Sequence, residues 1–64
     1  MSARENWVEE MQSAYLYQVL VAVETDPTKS NLFMLLGQAA EAQAQIWARQ
    51  AHARGVALPE PSAP

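Results

Sequence analysis

The 64-residue chain is half hydrophobic and 17% charged, a balance that excludes a disordered polar tail and allows one small folded domain at most. It has no cysteine, which excludes disulfides and thiolate metal sites; self-association, or a metal held by nitrogen and oxygen, is left to support so small a core. The net charge of −3, with four Lys and Arg spread along the chain, excludes the basic patch that phosphate backbones require, so no nucleic-acid partner is expected.

At residues 2–5 the stretch SARE sets a serine three residues before a glutamate, the capping-box arrangement, and predicts helix 1 over about 3–24. A stripe of Trp7, Glu10, Ala14, Tyr17, Val21 and Glu24, at alternating spacings of three and four, gives this helix one inward side. Its apolar run AYLYQVLVAV is about ten residues long, well short of the roughly 20 that cross a bilayer. No membrane contact is expected, and no secretory pattern opens the chain. The expected location is the cytoplasm, as a soluble protein or as the soluble domain of a membrane-attached one.

In TDPTKSN, Asp26 suits an N-cap and Pro27 the first helical position, which predicts helix 2 over about 27–54, ending near Gly55. So short a connection folds helix 2 back antiparallel, making residues 1–55 a helical hairpin. The apolar side of helix 2 reads Leu32, Phe33, Leu36, Ala39, Ala40, Gln43, Ile46 and Trp47. An inward Gln43 is an anomaly, because a buried amide without a partner costs on the order of 1–3 kcal/mol. Glu5, Glu9 and Glu10 in the early turns of helix 1 and Arg49, His52 and Arg54 in the late turns of helix 2 each suit their own helix dipole. Residues 56–64, VALPEPSAP, read as a Pro-rich disordered tail or linker, and Pro61 to Pro64 make a short PxxP pattern without a flanking arginine. The apolar arcs are too wide for one helix–helix seam. Trp7, Tyr15, Tyr17, Leu20, Phe33, Leu36 and Trp47 predict a homodimer or higher homo-oligomer, most simply a twofold dimer with four helices around one core.

The stretches ENWVEEMQSAYLYQVLVAVETDP and LFMLLGQAAEAQAQIWARQ, together spanning roughly residues 4–54, resemble the first half of a ferritin-like domain. The resemblance is to the rubrerythrin-type diiron domain fused to vacuolar-iron-transporter-like membrane proteins. It implies an all-α fold in which this hairpin dimerises into a ferritin-like four-helix bundle. In that family a helix 1 glutamate seven residues before a tyrosine binds iron, which Glu10 and Tyr17 match. The family's second helix supplies Glu-x-x-His four residues before a tryptophan. Here AEAQAQIW puts Ala40 at the glutamate position and Gln43 at the histidine position, with Trp47 in place. Ala40 cannot coordinate a metal, and Glu41 is turned about 100° from it.

A dinuclear carboxylate site needs about four carboxylates and two histidines converging from four helices, so the ligand set is degenerate. Two readings of function follow. The first is an assembly module that self-associates into a four-helix bundle, with the family's iron site largely lost and no cofactor expected. The alternative is a residual iron-binding half-domain, with Glu10, Gln43 and Glu41 as weak metal candidates and Glu24 as a further carboxylate. No Ser-His-Asp set, phosphate loop or nucleophilic cysteine is present, so any enzyme activity would be ferroxidase-like and metal-dependent. A third possibility is an apolar ligand in a cavity left by Gly37, Ala39 and Ala40.

Overall fold

A computed structural model describes residues 2–59. These residues form two helices and no strand, α1 over Ala3–Val23 and α2 over Pro27–Ala53, folded against each other as a hairpin.

Local chemistry sets each helix end. The Ser2 hydroxyl accepts the Glu5 N–H at 3.1 Å, satisfying one of the orphan donors of the first turn of α1. At the other end the Glu24 carboxylate accepts the Asp26 N–H at 3.0 Å, while the Asp26 carboxylate accepts the Thr28 N–H at 2.9 Å. Two successive carboxylates thus hold the turn, and Pro27 at the start of α2 has no N–H to leave unpaired. At the far end of α2 the Val56 N–H bonds to the Ala51 carbonyl at 2.9 Å and the Gly55 N–H to the His52 carbonyl at 3.0 Å. This paired arrangement requires a left-handed residue, and Gly55 has φ +70°.

The seam between the helices follows an alternating four-three repeat on both sides. On α1 it runs Ala3, Trp7, Glu10, Ala14, Tyr17, Val21 and Glu24, all buried or half-buried, as the helix 1 stripe anticipates. On α2 it runs Phe33, Gly37, Ala40, Ala44, Trp47 and Ala51. Here the structure departs from the sequence reading. Leu32, Leu36, Ala39, Gln43 and Ile46, expected to face inward, are exposed, because the buried arc is turned by one residue, about 100°. The apolar arc of α2 is wide enough for two parallel stripes, and α1 alone can cover only one. It covers the stripe of small residues, over which two backbones can approach closely. A Cβ at Gly37 would stand 3.2 Å from the Tyr17 Cβ, so the helices approach closely where α2 has no side chain.

Three contacts set the register. Tyr17 meets Gly37 and stacks on Phe33 with ring centroids 6.4 Å apart, and the Ser30 hydroxyl reaches the Val21 carbonyl at 3.5 Å. Equal steps in opposite directions from Tyr17 and Gly37 bring Ala14 level with Ala40, Glu10 with Ala44, Trp7 with Trp47, and Ala3 with Ala51.

Past α2, residues 56–59 have no regular structure, yet Leu58 and Pro59 are half-buried, so the chain beyond Gly55 begins by packing. The rest of the expected tail, including the Pro61 to Pro64 pattern, lies outside the described residues. Among the described residues no helix is long and apolar enough to cross a membrane.

Candidate functional site

The seam divides the hairpin surface into two flanks. Gln18 Nε2 donates to Glu41 Oε1 at 3.5 Å across one of them, which places the residues just after each seam position on the same side. The residues just before each seam position therefore share the opposite side. The first can be termed the glutamine flank, with Gln18, Gln38, Glu41 and Gln45 beside exposed Tyr15 and Met34. The second, the leucine flank, carries Leu16, Leu20 and Val23 from α1 and Leu32, Leu36, Ala39, Gln43 and Ile46 from α2.

The metal candidates are dispersed over this geometry. Glu10 sits half-buried on the seam, Glu41 is exposed on the glutamine flank, and Gln43 is exposed on the leucine flank. Two residues apart on one helix, Glu41 and Gln43 are turned about 200° from each other and cannot serve one ion within a chain. Glu24 is committed to the turn and lies fourteen residues, roughly 21 Å of helix, from Glu10. Among the described residues no group of three or more His, Cys, Asp or Glu converges to hold a metal ion.

The anomaly of Gln43 is resolved in the single chain. Its amide is solvated rather than buried, and no buried side-chain nitrogen or oxygen lacks a partner among the described residues. Neither Gln43 nor a tyrosine hydroxyl is hydrogen-bonded to Glu10. Ala40, by contrast, is 6% exposed and faces α1 level with Ala14. A glutamate there would have to enter the seam between the two helices.

On the glutamine flank an open groove of about 330 Å³ runs between the helices, floored by Gly37 and walled by Tyr17, Val21, Phe33 and Met34, with Glu41 at one end. It is a surface channel made by the missing side chain of Gly37. Ala39 lies on the other flank and Ala40 in the seam, so the three small residues do not share a cavity.

The most unusual surface is the half of the hairpin next to the turn. No charged residue occurs from Met11 to Val23 or from Ser30 to Ala40, whereas Glu24, Asp26 and Lys29 mark the turn and Glu9, Glu10 and Glu41 the opposite boundary. Within that belt Leu16, Val23 and Leu32 are 52%, 68% and 52% exposed, and Leu35 on the outer side of α2 is 54% exposed. Sequence periodicity gave the apolar arcs as too wide for one seam but did not locate this belt, because it set Leu32 and Leu36 on the inward side with Ala40; the charge-free intervals were the signal that could have shown it. No protein-family model, curated protein or solved structure matches the chain.

Proposed function

We propose that the hairpin is an assembly module: it self-associates through its turn half into a four-helix bundle of ferritin-like kind, with the iron chemistry of that family largely lost. The observation that carries this reading is the leucine flank. Five large apolar side chains, Leu16, Val23, Leu32, Leu36 and Ile46, stand exposed on one side of two helices whose fully buried seam positions are mainly alanine. Surfaces of this kind on a small domain are interaction sites, because each leucine-sized side chain contributes about 1.5–3 kcal/mol when it leaves water. A second hairpin laid on this flank completes a bundle in which every helix has two neighbours. The loss of iron chemistry is supported by Ala40 and Gln43, neither of which supplies a carboxylate or imidazole, and by the separation of Glu10 from Glu41.

Sedimentation equilibrium over a range of concentrations, paired with thermal denaturation, tests the proposal. A dimer or higher oligomer whose melting temperature falls on dilution is expected. A cooperatively folded monomer at tens of micromolar would refute it. Titration with cobalt(II) tests the second clause, with weak or no binding expected from a first shell that lacks imidazole.

A further inference from the structure

We infer that two copies dock turn to turn, the leucine flank of each on that of the other, about a twofold axis parallel to the helices. This rests on the assembly reading above and adds the surface, the register and the polar pairs that select it.

About such an axis, α1 of one copy stands beside α2 of the second copy at the heights its own α2 occupies. Tyr17 level with Gly37 sets those heights, so residues whose numbers sum to about 54 face one another across the new interface. The polarity of the leucine flank then matches from the turn as far as Ser13, beyond which exposed Glu9 comes level with Ile46 of the second copy. Val23, Leu20 and Leu16 meet Leu32, Leu36 and Ala39 of the second copy, apolar on apolar. Ser13 comes within two residues of the height of Gln43 of the second copy, hydroxyl beside amide. At the rim, exposed Glu5 is level with exposed Arg49 of the second copy, and Glu9 is one turn away. Twofold symmetry makes each pairing twice.

An end-over-end dimer overlapped along its full length, with the axis perpendicular to the helices, is disfavoured by the same residues. It would set α1 against α1, bringing Glu5 and Glu9 of one copy onto the Leu16 to Val23 stretch of the other. Carboxylates would lose water against leucine and valine with no cation at hand. In the turn-to-turn dimer Gln43 faces the bundle interior that the sequence pattern points to, with a serine hydroxyl of the second copy in reach.

The chain has no cysteine, so introduced thiols report geometry directly. Leu16→Cys combined with Ala39→Cys changes two exposed positions on the leucine flank, and a non-reducing gel separates a covalent dimer from any bridge within one chain. Under mild oxidation this variant is expected to give a covalent dimer on a non-reducing gel. Glu9→Cys combined with Leu16→Cys is expected to stay uncross-linked, because those positions meet only end over end. As a second arm, Glu5→Arg and Arg49→Glu each set like charges opposite one another at two symmetric places. Each variant alone should dimerise about tenfold more weakly, and their mixture should recover a heterodimer in which both pairs are again opposite in sign. Cross-linking through positions 9 and 16, or no recovery on mixing, would overturn the turn-to-turn register while leaving self-association standing. An unmodified chain that sediments as a monomer would instead overturn the assembly reading and this inference with it.

Discussion

Between α1 and α2 the chain buries alanines and a glycine, whereas one residue round on either helix it leaves leucine, valine and isoleucine in the open. Ala14, Ala44 and Ala51 are at most 2% exposed, and Trp7 is the one large side chain among the buried residues. Small residues let two helices approach closely and fix their register, but an alanine methyl removes little apolar area from water. Long side chains carry most of a helix's apolar surface, and the leucine flank holds five of them exposed, Leu16, Val23, Leu32, Leu36 and Ile46. The seam therefore shapes the hairpin, while the flank leaves large apolar side chains in the open.

The hardest test of that contrast is Trp7→Ala. If Trp7, the most deeply buried large side chain of the seam, anchors the packing, the substitution should cost about 3–5 kcal/mol, seen in thermal denaturation by circular dichroism as loss of the cooperative transition. A change under about 1 kcal/mol would mean that the alanines suffice. Overpacking comes next. Ala44→Leu should push the helices apart at a cost of about 1–3 kcal/mol, while Ala42→Leu, on the exposed side of the same helix, should move stability by less than about 0.5 kcal/mol. Equal effects at positions 42 and 44 would contradict the placement of the seam. Ala40→Glu belongs with Ala44→Leu, and a melting temperature that does not fall would show that the seam accepts a carboxylate after all.

The flank is tested by Leu36→Ala. Covered by a second copy, Leu36 should contribute about 1–2 kcal/mol per site, so its removal lowers both the association constant and the melting temperature, most visibly at low protein concentration. Left uncovered, the same change should fall within about 0.5 kcal/mol at every concentration. The smallest effect is expected at the turn, where Asp26→Ala removes the acceptor of the Thr28 N–H and should cost about 1 kcal/mol without altering association. Altered association would mean that the turn itself touches a partner.

Helix limits and turn chemistry were legible along the chain because caps act locally. Ser2, Asp26, Pro27 and Gly55 each do with a neighbour a few residues away what their types imply. The inward stripe of α1 was also readable, since only one of its faces repeats at alternating spacings of three and four through Trp7, Ala14 and Tyr17. On α2 two adjacent stripes are equally apolar, and periodicity carries no term that ranks them. Tertiary packing chose between them by size: Gly37, Ala40 and Ala44 admit the close approach of Tyr17 and its neighbours, and the leucine stripe does not. That choice sent Ala40 into the seam, Gln43 to one flank and Glu41 to the other, so whether three residues of a four-residue stretch could act together was decided by a rotation of one residue.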